Sequence, residues 1–99
     1  MDDTERLRGL ALNDSRTMAD SLTLDPKSVA LVRLAALIAV QGAIPSFGAH
    51  ADAAIAAGAS VAEIVDVLVA VSPVVGMPRT VSAAPLLALA LGYDVEDAL

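Results

Sequence analysis

The chain has no cysteine and no tryptophan, and it has one histidine, one phenylalanine and one tyrosine. Without cysteine there can be no disulfide, no thiolate nucleophile and no thiolate metal site. One histidine is too few for a histidine-based zinc site within a single chain. We therefore expect no bound metal and no cofactor, and any chemistry has to come from ordinary acids, bases and hydroxyl groups.

Positive charge is also scarce. The 99 residues include 6 lysines and arginines against 12 acidic residues, for a formal net charge of −6. An acidic chain without a basic stripe or stacking aromatics is poorly suited to nucleic acids or to anionic membrane surfaces. The longest charge-free stretch, residues 34–51, is broken by glutamine, glycine, proline and histidine, so it does not predict a membrane span. The acidic N-terminus does not resemble a signal peptide, and we expect a cytoplasmic protein.

Alanine dominates what is present. The chain contains 21 alanines and is 57% hydrophobic but only 2% aromatic, which favours an all-α fold in one domain spanning residues 1–99. Only four residues between Leu34 and Tyr93 carry a charge: Asp52, Glu63, Asp66 and Arg79. Four charges are too few to cover the surface of a small monomer. The surplus apolar surface therefore predicts a homo-oligomer.

The positions of capping residues, prolines and glycines predict about five to six helices. Asp2 and Asp3 suit the start of a first helix, Asn13 and Asp14 break it, and a weaker helix follows to about Ser21. The strongest start signal is Asp25 followed by Pro26, and that helix should run to about Gln41 and end at Gly42. Pro45 predicts the start of the next helix and Gly58 its end. The Ser60–Glu63 capping box starts a buried central helix that kinks or frays at Pro73 and ends at Gly76. The last helix begins near Pro78 and ends at Gly92.

Three segments in order resemble the carboxymuconolactone decarboxylase family, which includes the alkylhydroperoxidase D-like proteins. They are Leu24–Lys27 leading into "LVRLAALIAV", the segment "GAHADAAIAAGASVAEIVDVL", and "VVGMPRTVSA" with its Gly-x-Pro junction. The resemblance is strongest over residues 22–91. It implies an alkylhydroperoxidase D-like helical domain that assembles into a homo-oligomer, commonly a trimer or a hexamer.

The residues that this chain lacks exclude one activity of the family, thiol-dependent peroxide reduction. Its peroxidase-type members carry Cys-x-x-Cys-x-x-x-His, and alignment of that histidine with His50 places the two cysteines at Ala43 and Ser46. The glutamate that relays protons in those members would fall near Ala30 or Leu31, and it is also missing. Peroxide reduction needs a thiolate and a resolving thiol, and a serine hydroxyl cannot replace either. We therefore expect no thiol peroxidase activity.

Decarboxylase-type members do without the cysteine pair, and the resemblance implies their chemistry as an alternative. Loss of carbon dioxide from a small carboxylated lactone needs a cation to hold the carboxylate, a donor for the enolate oxygen and an acid that protonates carbon. The candidates here are Arg33 or Arg79 as the cation, Ser46 as the donor and His50 as the acid. Ser46 and His50 are four residues apart and share a helix face.

Each candidate also has a purely structural interpretation. His50 could be a buried neutral histidine bonded to Ser46 or to a carbonyl, and Ser46 a residue of the first helical turn. Arg33 could form an ion pair across a subunit interface, and Arg79 could be solvated. Two functions therefore stay open: a cofactor-independent lyase or isomerase acting on a small carboxylate or lactone, or a non-catalytic scaffold or small-ligand-binding protein of the same fold.

Overall fold

The computed structural model describes residues 2–18 and 22–93, and this part of the chain is helical with no strand. The all-α prediction is therefore confirmed. The helices are α1 (Asp3–Ala11), α2 (Ser15–Met18), α3 (Pro26–Ala39), α4 (Ile44–Ala56), α5 (Val61–Val75) and α6 (Met77–Ala90). The end of the predicted second helix, residues 19–21, and the acidic tail, residues 94–99, lie outside the described residues.

Three of the predicted helix starts, those of α1, α3 and α5, are confirmed by their caps. The Asp2 carboxylate accepts a hydrogen bond from the Glu5 backbone N–H at 2.7 Å, and the Asp25 carboxylate accepts one from Ser28 at 2.7 Å. At the start of α5 the Ser60 hydroxyl accepts from the Glu63 N–H at 3.0 Å, while the Glu63 carboxylate accepts from the Ser60 N–H at 2.9 Å. Each bond satisfies an amide that has no partner inside its helix.

Four helices end in the same way, with one residue in the left-handed backbone region. These residues are Asn13 after α1 (φ 58°), Gln41 after α3 (φ 56°), Gly58 after α4 (φ 100°) and Gly92 after α6 (φ 87°). After α3, the Gly42 N–H donates to the Leu37 carbonyl at 2.9 Å, which is the closing bond of a Schellman motif. Helix α3 thus ends where the sequence predicts, although Gln41 rather than Gly42 adopts the left-handed conformation.

The core lies among α3, α4, α5 and α6. Three side chains of α3 at helical spacing, Ala30, Leu34 and Ile38, meet Phe47 of α4 and Ile64 of α5, and all five are buried. Helix α6 closes this body with Ala83 and Leu87. Outside the core, the Lys27 ammonium lies 3.0 Å from the Glu63 carboxylate and ties α3 to α5. The Ser60 backbone hydrogen bond and this ammonium lower the pKa of the Glu63 carboxyl.

Helix α5 departs from the prediction that it is buried on almost all sides. Ile64 is its buried residue, whereas Val65 and Val69 are 44% and 65% exposed. The prediction is wrong for the single chain because a helix packed on one side of a four-helix body can bury only one stripe of side chains. The helix also continues past Pro73 to Val75 before Gly76 ends it, so it does not fray at the proline.

Candidate ligand-binding site

A cavity of about 240 Å³ opens between the end of α3, the start of α4 and one side of α6. Its walls are mainly apolar, and three polar side chains lie among them: Gln41, Arg79 and Ser82. The other lining residues are Ile38, Gly42, Phe47, Ala83 and Leu86. A concave apolar pocket with a few polar groups is the usual form of a small-molecule site.

Arg79 gives the cavity its charge. It is the third residue of α6, it is exposed, and it forms no ion pair with any residue in the described part of the chain. The helix macrodipole is positive at this end, so the guanidinium is not stabilised by its own helix. The N-cap residue of α6, Gly76, provides no side-chain hydrogen bond to the start of the helix. Both features favour an anionic group beside Arg79.

Gln41 reaches the cavity through an uncommon backbone conformation. At the same position of the other left-handed helix ends the chain has asparagine or glycine, the residue types that adopt this region at the lowest cost. A glutamine there carries a steric penalty that glycine avoids. Residues held in strained backbone conformations are found preferentially at functional sites, and Gln41 lies on the wall of the cavity that contains Arg79.

We expect Gln41→Gly to raise the free energy of unfolding by about 0.5–1 kcal/mol. Glycine relieves the left-handed strain, and this gain is larger than the cost of the extra conformational entropy that glycine loses on folding. Urea denaturation measures the change. Gly58→Ala is the matched control, since it places a Cβ at the equivalent end of α4 with no atom within 4 Å. It should destabilise by about 1 kcal/mol through strain alone. A Gln41→Gly chain less stable than the wild type would contradict the strain argument.

Of the four site residues expected from the sequence, one lines this cavity. Arg79 lies on the cavity, while Arg33, Ser46 and His50 are not among its lining residues. Arg33 is exposed on α3, and Ser46 and His50 are half-buried on α4. Neither Ser46 nor His50 forms a side-chain hydrogen bond with the described residues, so His50 does not show the bond to Ser46 that its structural interpretation invokes. Their joint action on one substrate stays a prediction.

Sequence reasoning missed Gln41 and Ser82 as candidate site residues. Gln41 is the residue before a predicted helix stop, and a glycine beside it is the more obvious candidate for the left-handed position. Ser82 lies on α6 three residues after Arg79, which is the spacing of neighbours on one helix face, and this spacing is readable from the sequence. The sequence does not show that Gln41, at the end of α3, lines the same cavity as Arg79 and Ser82.

No group of three or more acidic or histidine side chains within residues 2–18 and 22–93 could hold a metal ion. Nor is any helix of those residues both long enough and apolar enough to cross a bilayer.

Comparison with known protein families gives a match over residues 9–89 to the carboxymuconolactone decarboxylase family model. The chain belongs to this family. The match includes the whole of α2 to α5 and nearly all of α6, and therefore every residue of the cavity. Searches of curated proteins and of solved structures gave no significant match.

Family membership confirms the resemblance seen in the three sequence segments and agrees with the all-helical fold. As a carboxymuconolactone decarboxylase family chain without cysteine, the protein is a divergent member that lacks the thiol pair of the peroxidase type. The first six residues of α1, Asp3–Arg8, lie before the matched region.

Proposed function

We propose that this protein binds a small organic carboxylate with an apolar body in the cavity beside Arg79. The observation that carries the proposal is a guanidinium that pairs with no acidic group of the described residues, in a cavity whose walls are apolar apart from Gln41 and Ser82. A carboxylate can accept two parallel hydrogen bonds from a guanidinium, and such charge-assisted bonds are stronger than those between neutral groups. The remaining ligand surface would pack against Ile38, Phe47 and Leu86.

The two neutral polar groups of the cavity refine the ligand class. The Gln41 side-chain amide both donates and accepts, and the Ser82 hydroxyl does the same. They suit a second oxygen function on the ligand, such as the carbonyl or ring oxygen of a lactone. With about 240 Å³ of space, the cavity lies below the usual range of roughly 300–1,000 Å³ for drug-sized ligands. The ligand is therefore a small acid, with or without a lactone ring.

A second candidate function is catalytic, and His50 favours it. The imidazole is half-buried and without a hydrogen bond to the described residues, and Ser46 lies one helical turn before it on the same face of α4. In this proposal the bond between the substrate and its carboxylate breaks, and the electron pair enters an extended enolate. Ser46 donates to the enolate oxygen, and protonated His50 transfers its proton to carbon. Arg33 or Arg79 holds the carboxylate before it leaves as carbon dioxide.

One NMR experiment tests both candidates. The full chain is titrated with small aliphatic and lactone carboxylic acids, and each acid is matched by its neutral methyl ester. We expect acids, but not their esters, to shift the backbone amide resonances of Gln41 and Ser82, because the esters cannot pair with Arg79. Esters that bind as well as the acids would overturn the proposed binding function.

The single histidine makes the catalytic candidate separable in the same samples. Its imidazole proton resonances can be followed without assignment problems, since no other imidazole exists in the chain. A lactone acid that shifts these resonances and is converted with release of carbon dioxide supports catalysis by His50. Shifts at Gln41 and Ser82 with His50 unmoved and the acid recovered intact support binding without catalysis.

We also infer that the chain acts as a homo-oligomer, with a trimer or a hexamer as the expected form. The support is the apolar side chains that the four-helix body leaves in solvent, among them Val40 at 74%, Val69 at 65% and Val74 at 87% exposure. Single exposed apolar residues are ordinary, but so many on a chain with few charges indicate surface that a second copy covers.

A further inference from the structure

Gly42 lies between α3 and α4 and lines the cavity beside Arg79. Three other glycines of the described residues, Gly58, Gly76 and Gly92, have φ angles between 87° and 100°, where glycine is favoured. Gly42 does not have a positive φ angle. A left-handed backbone is therefore not what requires glycine at this position, and the reason has to lie in the atoms around it.

The atoms around Gly42 leave no room for a side chain. A Cβ atom built on Gly42 would lie 2.5 Å from Cγ of Leu37, 2.9 Å from Cδ1 and 3.2 Å from Cδ2. Carbon atoms in favourable contact are about 3.5–4.0 Å apart. A side chain at position 42 therefore forces either Leu37 or the backbone at position 42 to move.

Leu37 is held more firmly than the segment that follows α3. It is half-buried and packs against the hydrophobic core, and its place in a helix restricts its side chain to few rotamers. The segment after α3 is held by two backbone hydrogen bonds: Gly42 N–H donates to the Leu37 carbonyl at 2.9 Å, and Gln41 N–H donates to the Ile38 carbonyl at 3.4 Å. The second bond is longer than is usual for this type. The backbone around Gln41 therefore moves more easily than Leu37.

A methyl group at position 42 would point away from the space for a ligand. The three atoms nearest to the built Cβ all belong to Leu37, and Leu37 does not line the cavity. The methyl group would therefore not displace a ligand by itself. Its effect on binding has to pass through the residues that Gly42 holds in place, and the adjacent residue, Gln41, is a polar group of the cavity wall.

We propose that Gly42 is a positioning residue of the binding site and that it sets which small acids the site prefers. This inference rests on the binding function proposed above. Because Gly42 has no side chain, the segment after α3 lies close against Leu37, and the Gln41 amide stays at the cavity wall. There it binds a second oxygen of the ligand. The site then prefers a carboxylate that carries a ring carbonyl to one that does not.

The test compares two acids of similar size that differ in this second oxygen. γ-Butyrolactone-γ-carboxylate has a ring carbonyl, whereas cyclopentanecarboxylate has none, and isothermal titration of the full chain measures both affinities. We expect Gly42→Ala to weaken binding of the lactone acid by about 3- to 10-fold, the equivalent of one neutral hydrogen bond, and to change binding of cyclopentanecarboxylate by less than about twofold. If the ratio of the two affinities is the same in Gly42→Ala and the wild type, the inference is wrong.

Two further glycine variants separate positioning from a general effect of the new methyl group. Gly48→Ala is the matched control, because it makes the same replacement on α4 with no packed neighbour within 4 Å of the new Cβ, and it should leave both affinities unchanged. Leu37→Ala/Gly42→Ala removes the three atoms that the Cβ would meet, so it should restore the wild-type ratio of affinities. A folded double variant that keeps the altered ratio contradicts the inference.

Gln41→Ala tests the same step without depending on how Gly42→Ala folds, since Gln41 is exposed. It should lower the ratio of affinities as much as Gly42→Ala does, and the two changes together should lower it no further, because both remove one hydrogen bond. A Gln41→Ala chain with the wild-type ratio overturns the inference.

The wild type distinguishes this failure from failure of the binding function itself. A wild type that binds neither acid overturns the proposed binding function. A wild type that binds both acids equally well, and whose affinity for both falls in Arg79→Gln, retains the binding function and overturns the role of Gly42 alone.

Discussion

We expect Phe47→Ala to lower the free energy of unfolding by about 3–5 kcal/mol, the largest single-residue loss in this chain. Phe47 is 1% exposed and is the one phenylalanine of the protein. Helix α4 packs through it on α3 and α6, and alanine would leave a cavity among Ile38, Ala83 and Leu87. Since small domains are stable by only about 5–15 kcal/mol, much of the total would be lost.

Urea denaturation followed by circular dichroism measures this change. Asp52→Ala is the matched control because Asp52 is exposed on the same helix, and this change should alter the free energy of unfolding by less than about 0.5 kcal/mol. Phe47→Leu retains most of the buried apolar volume and should fall between the two. A loss for Phe47→Ala no greater than that of the control would mean that α4 does not hold the body together as described.

The second large effect concerns ligand affinity. We expect Arg79→Gln to weaken binding of a small carboxylate by about 10- to 100-fold, the equivalent of a hydrogen bond to a charged group at about 1.5–3 kcal/mol. Stability should change little, since Arg79 is exposed and makes no ion pair with the described residues. Isothermal titration with the acid that gives the largest shifts in the NMR panel measures the affinity.

Two further arginine variants make the result specific. Arg8→Gln removes an equal charge from α1, outside the matched family region, and reports the effect of net charge alone. Arg33→Gln tests the alternative cation that the sequence offers. Equal losses of affinity for Arg8→Gln and Arg79→Gln would contradict a site at the cavity. A loss of affinity for Arg33→Gln as large as for Arg79→Gln would indicate that both arginines bind the ligand.

Local chemistry explains why the sequence predicted the helices so well. Asp25 with Pro26 and Ser60 with Glu63 act on amides within three residues of themselves, so the pattern alone reveals them. Gly58 and Gly92 mark helix ends for the same reason, since a left-handed residue is a local requirement. Gln41 was not predicted because glutamine, unlike glycine or asparagine, is not a residue type that marks a left-handed helix end.

The candidate site was predictable only in part. The arginine at position 79 was a candidate because it is one of few charges in an apolar region. The family resemblance implied a substrate with a carboxylate that such an arginine could bind. The residues that share the cavity with Arg79 could not be inferred. Gln41 follows α3 and Ser82 lies on α6, and the packing of these two helices depends on buried side chains such as Ile38 and Phe47. For the same reason the sequence could not show that Arg33 is exposed away from that cavity.

By itself, the sequence determined the all-helical class, the family, the helix boundaries and the absence of thiol chemistry, because composition, capping and residue identity act without reference to distant parts of the chain. Only the tertiary structure decided that α5 buries one stripe, that Arg79 shares a cavity with Gln41 and Ser82, and that α1 is left without a core of its own. These depend on which helix faces meet, and that choice is made by the packing of side chains far apart in sequence.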